Sequence, residues 1–309
     1  MAGFDVVTNH IGLILFSLGL DLLLWLGPQV HLVKVFEPLF KQAAELPDME
    51  GTGTLDLLRQ GASRFNLVGI LRAFPVGVPS IMTARAPSDT PLMLDPILIE
   101  LSTLWQALGL WALLVLAGIG FGTLFFTMVS QAAIFDRLDL RQALTEWPRN
   151  FGHVILLTVF WYVMIAMLLL PLSCLLSILL LSGIGTSQFP LLIALFMGGL
   201  VIWLLIPLFF SPHGIFVDRS PMWVSVISGV RLSRMTFTTT GLLILSIVLL
   251  SEGLDILWNR PAEDSWLMLV GIAGHAFVTT ALLAATFVYY RQGNLWLKDL
   301  VEQRKALQA

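Results

Sequence analysis

Residues 154–181 read VILLTVFWYVMIAMLLLPLSCLLSILLL, a run of 28 residues without one Asp, Glu, Lys, Arg or His. A helix that crosses the hydrocarbon core of a bilayer needs about 20 consecutive apolar residues. A helix also satisfies its backbone hydrogen bonds within the segment, which lipid cannot do for it. This run therefore predicts a membrane-spanning α-helix.

The composition of the whole chain extends that prediction. Of its 309 residues, 57% are hydrophobic and 12% are charged, and the mean hydropathy is +0.87. Soluble domains contain roughly 25% charged residues, so no part of the chain resembles a soluble catalytic domain. The net charge of −3 provides no basic field for nucleic acid. Residues 1–10 contain Asp5 but no Lys or Arg, so we expect a retained first helix rather than a cleaved signal peptide.

Six segments are long and apolar enough to span a membrane. We therefore predict an all-α polytopic transmembrane bundle, with residues 1–309 forming a single integral membrane domain. The predicted spans are 6–27, 97–129, 154–181, 190–210, 241–258 and 266–289.

Lys and Arg in short loops predict the orientation, because cytoplasmic loops are enriched in them. The loop 182–189 has neither residue, whereas 130–153, 211–240 and the C-terminal tail each have at least three. Both termini are therefore predicted to be cytoplasmic.

The connection 28–96 would then lie outside, with amphipathic helices at the membrane interface or packed on the ends of the bundle. Within it, the segment 66–82 contains Arg72, Pro75 and Pro79. We expect this segment at the interface; a re-entrant segment is the alternative.

Two stretches before the later spans share a pattern. Residues 134–151 read IFDRLDLRQALTEWPRNF, and residues 215–233 read IFVDRSPMWVSVISGVRLS. They predict cytoplasmic elbow helices at 136–150 and 219–236, each followed by a spanning hairpin, which makes a parallel repeat. Their arginines are candidates for docking anionic lipid headgroups, a membrane subunit or a cytoplasmic protein: Arg137, Arg141, Arg149, Arg219, Arg231 and Arg234.

The second elbow also carries a family resemblance. Residues 210–215 (FSPHGI) and 224–234 (VSVISGVRLSR) resemble the glycerophosphodiester phosphodiesterase membrane-domain-like family of bacterial six-span proteins. The resemblance covers roughly the last two-thirds of the chain and implies a multi-pass protein of the bacterial inner membrane. The enzyme that names the family has a separate soluble catalytic barrel, for which this chain has no room, so that activity does not carry over.

Four polar residues in or near the predicted spans are candidate ligand, ion or proton contacts: Asp21, Glu252, Asp255 and His275. A carboxylate at the depth of Asp21 costs about 2.5–3.5 kcal/mol by insertion scales. The structural alternative for Asp21 and His275 is a hydrogen bond to a neighbouring helix. Glu252 and Asp255 share one helix face and line an entrance or are simply hydrated near the surface.

Gly118 and Gly122 have a G-xxx-G spacing within the second span. The spacing predicts close helix packing, and a broken helix that lines a cavity is the alternative.

Motifs of soluble enzymes are absent. The chain has no HExxH and no G-x-S-x-G sequence, and its five histidines lie in five different segments. We expect no metal, no cofactor and no identifiable catalytic residue. The leading interpretation is a transport-related or complex-forming membrane subunit that contacts membrane lipids. The alternatives are an enzyme acting on lipids or lipid-linked substrates and a non-catalytic insertion or stability factor.

Two structural features would discriminate these functions. Polar candidates that converge on one pocket favour an enzyme, and a lipid-open groove between the two hairpins favours lipid handling.

Overall fold

The computed structural model describes residues 2–44, 54–85, 90–92, 97–181 and 189–306. The chain is 81% helical, which confirms the all-α prediction. The helices are α1 (Ala2–Asn9), α2 (Leu15–Leu26), α3 (Val33–Ala44), α4 (Thr54–Arg64), α5 (Met82–Arg85), α6 (Leu104–Phe135), α7 (Leu140–Leu181), α8 (Phe189–Leu208), α9 (His213–Val217), α10 (Met222–Met235), α11 (Phe237–Trp258) and α12 (Met268–Ala306). Two short strands, β1 (Gln29–His31) and β2 (Leu98–Glu100), pair in parallel.

Within the described residues, five stretches of helix are long and apolar enough to cross a membrane, and a bent helix pair at the N-terminus adds a sixth if it is counted as one span. The five are Leu104–Phe135, Leu140–Leu175, Leu191–Val217, Phe237–Trp258 and Met268–Gln303. By helix length and hydropathy, the prediction of about six spans is confirmed. The second span begins at Leu104 and not at Ile97, because residues 98–100 form β2 and Thr103 caps the helix by accepting a hydrogen bond from the Gln106 amide.

The first span is not straight, and the prediction of one helix over 6–27 is wrong in this respect. Ala2–Asn9 and Ile11–Leu26 meet at an angle of 94° at His10. Gly3 allows α1 to lie against α12, since an added Cβ there would stand 2.2 Å from the Ala281 carbonyl oxygen. Because α1 packs closely on α12, the axis of α1 points in a different direction from the axis of α2.

The spans differ in how deeply they are packed. The most apolar 18-residue stretch is 56% buried within the protein in both α6 and α12, whereas the corresponding stretch of α11 is only 6% buried. α6 and α12 thus form the centre, where Phe126 contacts Phe216 and Phe287. α8 and α11 lie at the periphery with their apolar side chains exposed, as lipid-facing helices do.

Residues 66–82 enter the bundle between α2 and α6. Val76 and Val78 are fully buried, and Ser17 of α2 donates a hydrogen bond to the Pro79 carbonyl at 2.6 Å. A Cβ at Gly122, near the middle of α6, would stand 2.4 Å from the Val76 carbonyl oxygen. Residues 66–82 thus lie inside the bundle, which agrees with the re-entrant alternative rather than with an interfacial position, and we call them the re-entrant segment. Non-helical backbone is tolerated at such depth because it is enclosed by protein.

The remaining described part of the 28–96 connection lies at the end of the bundle that carries the α11–α12 loop. The Trp25 indole donates to the Glu263 carbonyl at 3.0 Å, and Arg85 Nε lies 3.0 Å from Glu263 Oε1. α3 has no buried residue, which agrees with an amphipathic helix at the edge of the protein.

The two predicted elbows differ from each other. α7 is continuous from Leu140 to Leu181, so residues 140–150 belong to the helix that spans and do not form a separate elbow. Asp139 starts that helix by accepting the Gln142 amide at 2.9 Å. The second elbow is a separate helix, α10, which ends at Met235, and Thr236 separates it from α11. In both copies the chain turns through one residue with φ near 50°, Asp136 and Arg219.

Candidate functional site

A cavity of about 640 Å³ lies between the hairpin α7–α8 and the hairpin α11–α12. The re-entrant segment and α6 close it on the inner side. Its walls are mainly apolar, and aromatic and aliphatic side chains from every surrounding element line it: Phe74, Phe126, Trp161, Phe209, Ile247 and Leu282.

The cavity borders a gap between the two hairpins. Leu205 of α8 and Ile247 of α11 line it from opposite sides, yet within the described residues these two helices barely contact each other. Both helices also face outward along most of their length. The described parts of α8 and α11 therefore leave this side of the cavity without a helix–helix contact.

One face of α12 forms the floor of the cavity. His275, Thr279, Leu282 and Thr286 line it and follow the spacing of one helix face. At 1.5 Å per residue, His275 and Thr286 are about 16 Å apart along the axis. The cavity is thus long enough for an extended chain and has a polar group at each end of its floor.

The first polar end is acidic and contains three of the four predicted residues. Asp255 Oδ1 lies 2.8 Å from His275 Nδ1, and Glu252, one turn away on α11, lines the same cavity. His275 is only 5% exposed, and its Nε2 has no hydrogen-bond partner. The pair resembles the oriented imidazole of acid–base sites, in which a carboxylate fixes one ring nitrogen and leaves the other free.

Asp21, the fourth predicted residue, lies directly behind the cavity wall. Its side chain is fully buried, and its Oδ1 accepts hydrogen bonds from Ser80 Oγ at 2.5 Å and from the Met82 amide at 3.1 Å. Its Oδ2 has no partner, and the carboxyl group interacts electrostatically with His275. Asp21 therefore holds the re-entrant segment through hydrogen bonds to Oδ1, whereas Oδ2 makes no hydrogen bond.

The second polar end was not predicted from the sequence as a site. His213 Nε2 lies 2.8 Å from Thr286 Oγ1, while its Nδ1 is buried without a partner. Nearby, the Trp161 indole donates to Ser211 Oγ at 3.2 Å. In the sequence, only residues 210–215, which carry the family resemblance, drew attention to the region of His213.

Arg72 is a further residue that sequence reasoning placed at the interface and not in a site. Arg72 is an exposed residue that lines the cavity and makes no ion pair within the described part of the chain. It gives the cavity a positive group opposite in sign to Glu252 and Asp255.

The predicted elbow arginines lie away from this cavity, and the N-terminal part of α7 contacts the turn that precedes α10. Arg219 forms an ion pair with Glu146, and Arg149 donates to the Arg219 carbonyl. Arg137 bonds to Gln142 at 3.4 Å. Three arginines have no side-chain hydrogen bond or ion pair among the described residues, so the predicted docking role stays open for them: Arg141, Arg231 and Arg234.

Gly118 and Gly122 pack against the backbone of the re-entrant segment, Gly118 against its 3₁₀ helix (Leu67–Arg72), and not against another spanning helix. An added Cβ at Gly118 would stand 2.6 Å from the Leu71 carbonyl oxygen. α6 remains a continuous helix through both positions. The glycines therefore let the backbone of the re-entrant segment approach α6 closely, and they do not break the helix.

Within the described residues, no cluster of three or more His, Cys, Asp or Glu side chains could hold a metal ion. Comparisons with protein-family models, with curated proteins and with solved structures found no match to this chain. The family resemblance at the second elbow therefore stays a prediction.

Proposed function

We propose that this membrane protein binds an amphiphilic molecule, a lipid or a lipid-linked compound, in the cavity between its two hairpins and takes part in its transport. The observation that carries the proposal is the lateral opening of a long, largely apolar cavity between α8 and α11. A soluble ligand would need an aqueous entrance, whereas this opening faces the position of the acyl chains.

The charges at the cavity favour a headgroup that carries both signs. Arg72 supplies an unpaired guanidinium, which suits a phosphate group. Glu252 and Asp255 supply carboxylates, which suit an ammonium group. The apolar wall of Phe126, Phe209 and the facing aliphatic residues then accommodates the hydrocarbon chain.

Native mass spectrometry of the protein purified in a mild detergent tests this proposal. Ile247 lines the cavity from α11, and Leu249 on the same helix is 63% exposed. We expect wild type and Leu249→Trp to retain one co-purified amphiphile per chain, and Ile247→Trp to lose it because the indole fills the cavity. Equal retention by both variants would contradict the proposal.

A membrane-embedded enzyme acting on lipids is the second candidate, and the Asp255–His275 pair favours it. With Nδ1 held by the carboxylate, the unpartnered Nε2 is the nitrogen of this cavity-lining residue that would take a proton from water or from a substrate hydroxyl. Incubation of the reconstituted protein with radiolabelled bilayer lipids would distinguish the two functions. An enzyme forms product that depends on His275, and a transport protein leaves the lipids chemically unchanged.

We also propose that the ends of α6 and α12 bearing the elbows face the cytoplasm of a bacterial inner membrane. The arginines at this end support the orientation by the positive-inside rule. Arg141, Arg231 and Arg234 then face the cytoplasm, where a partner subunit or anionic headgroups are available. Labelling of single cysteines in the 28–96 connection with an impermeant reagent from outside the cell should succeed, and labelling only after lysis would contradict this orientation.

A further inference from the structure

We infer that a groove between α10 and the C-terminal part of α12 binds the phosphate group of an anionic membrane lipid. Arg231 of α10 and Lys298 and Lys305 of α12 line this groove, which has a volume of about 700 Å³. It is separate from the cavity between the two hairpins, because the two share no lining residue. The choice of leaflet rests on the proposed function, through the orientation given there, and the site itself does not.

The groove begins where α12 leaves the hydrocarbon core of the bilayer. α12 has 39 residues and is about 58 Å long at 1.5 Å per residue, whereas the core is about 30 Å thick. Residues 268–290 contain no Asp, Glu, Lys or Arg, and Arg291 follows them directly. The helical tail 291–306 therefore continues beyond the core, past the level of the lipid phosphates.

One face of each helix forms a wall of the groove. The wall from α10 and the wall from α12 each carry side chains three and four positions apart, which is the spacing of a single helix face. These side chains are Val224, Ser228 and Arg231 on α10 and Lys298, Val301 and Lys305 on α12.

The two walls meet along an apolar, closed side. Leu232, Tyr290 and Leu297 belong to one buried cluster, and Ser228 Oγ lies 2.9 Å from the Tyr290 hydroxyl. Gly293 allows this approach, since an added Cβ there would stand 2.6 Å from a methyl carbon of Leu232. The groove is therefore a shaped site with a fixed base between two packed helices.

The protein leaves the positive charge of the groove in excess. Arg231, Lys298 and Lys305 are exposed and make no ion pair or side-chain hydrogen bond within the described residues. Two carboxylates, Asp218 and Glu302, also line the groove, and Asp218 accepts from the Tyr290 hydroxyl at 3.3 Å. Three cations and two carboxylates give a net charge of +1. This excess complements a phosphodiester whose negative charge is not balanced by an ammonium group.

Exposed apolar side chains beside the basic groups favour a lipid as the source of the phosphate. Val224 and Val301 line the groove and are 52% and 51% exposed. Trp223 and Ile227 extend this apolar surface along α10, at 62% and 61% exposure. A lipid can cover such a surface with its acyl chains, whereas a soluble phosphate compound cannot. Basic pockets between helices on the cytoplasmic side of a membrane are typical sites for anionic headgroups.

Native mass spectrometry of the full chain in detergent tests the site with phosphatidylglycerol and phosphatidylcholine of identical acyl chains. The measurements use Ile247→Trp, in which the indole fills the cavity between the hairpins, so lipid bound there is not counted. We expect this protein to bind phosphatidylglycerol at least about fivefold more tightly than phosphatidylcholine. Equal affinities would overturn the inference. They would leave the proposed function intact, because that is measured by comparing wild type with Ile247→Trp.

Arg231→Gln and Arg234→Gln are a matched pair of charge variants on α10. Both arginines are exposed and unpaired within the described residues, and only Arg231 lines the groove. Arg231→Gln should weaken phosphatidylglycerol binding by about fivefold, as should Lys298→Gln, whereas Arg234→Gln should leave it unchanged. Equal losses in the two arginine variants would contradict a defined site, since they would mean a general attraction to positive charge.

Val301→Trp and Leu295→Trp are a matched pair of steric variants on the tail of α12. Both side chains are 51% exposed, and only Val301 lines the groove. We expect Val301→Trp to lose the bound phosphatidylglycerol, because the indole occupies the groove, and Leu295→Trp to retain it. Retention by both variants would refute the lipid site and would favour a protein partner for this surface.

Discussion

Replacement of Gly122 by alanine is the sharpest perturbation of the re-entrant segment. Gly122 lies on α6, and its added Cβ would stand 2.4 Å from the Val76 carbonyl oxygen and 2.7 Å from Gly77 Cα. Both atoms belong to the backbone of the segment, so no side-chain rotation relieves the clash. The segment or α6 must move by about 1.0–1.6 Å to bring the distance from this Cβ to the Val76 oxygen to an ordinary van der Waals contact of 3.4–4 Å.

The expected cost follows from a matched pair of substitutions on one helix. Gly109 also lies on α6, and its added Cβ would meet nothing within 4 Å. Both alanines gain about the same 1 kcal/mol of helix propensity, so this contribution cancels in the comparison. Overpacking of a close contact costs about 1–3 kcal/mol. Gly122→Ala should therefore be less stable than Gly109→Ala by about that amount.

The difference can be measured as the free energy of unfolding in mixed micelles by denaturant titration, with both variants in the same detergent. A circular dichroism spectrum before titration shows whether the helical content is intact. If Gly122→Ala unfolds at the same denaturant concentration as Gly109→Ala, the segment does not lie against α6, and the re-entrant architecture is refuted.

Two further predictions concern polar contacts. Asp21→Ala should destabilise the protein by about 2–4 kcal/mol, because it leaves the Ser80 hydroxyl and a buried amide without an acceptor. Asp21→Asn keeps an acceptor, so in the same unfolding assay it should cost less than about 1 kcal/mol. Glu146→Gln breaks the ion pair with Arg219, whose side chain is 52% exposed, so it should cost less than about 1 kcal/mol. That cost should shrink at 1 M salt, and a large, salt-independent loss would contradict a surface pair.

Hydrophobicity was sufficient to predict the spans because each is set by a local property, the length of an uncharged run. The Lys and Arg pattern likewise predicted that the elbows share one end of the bundle. The bend at His10 could not be predicted in this way. It depends on Gly3 packing against Ala281, a contact between residues almost 280 positions apart.

The re-entrant segment shows the same limit more clearly. Its prolines and Arg72 made an interfacial position the simpler expectation, because hydropathy treats each residue as if it faced lipid. The structure instead encloses the segment, and its buried valines and the glycines of α6 form complementary surfaces. Pro75 and Pro79 fit this position, since proline has no N–H group to leave unpaired.

Three of the four candidate site residues could be found because a charged or titratable group in or beside a span is rare, and the structure brings Glu252, Asp255 and His275 to one cavity. Their mutual geometry could not be predicted, because it depends on how α11 and α12 pack against each other. His213 was not predicted as a site residue because it lies outside the longest apolar runs. Its partner Thr286 is of a residue type that is ordinary in a spanning helix.

Photo-crosslinking from two phenylalanines of the α8 region tests the central claim most directly. Phe209 lines the cavity, whereas Phe196 is 71% exposed on the outer surface of α8. Each is replaced by benzoylphenylalanine, and the protein is washed extensively with detergent before irradiation, which removes loosely bound lipid. A lateral cavity that holds an amphiphile predicts a lipid adduct at position 209 and none at position 196. Adducts of equal yield at both positions, or at neither, would contradict the account.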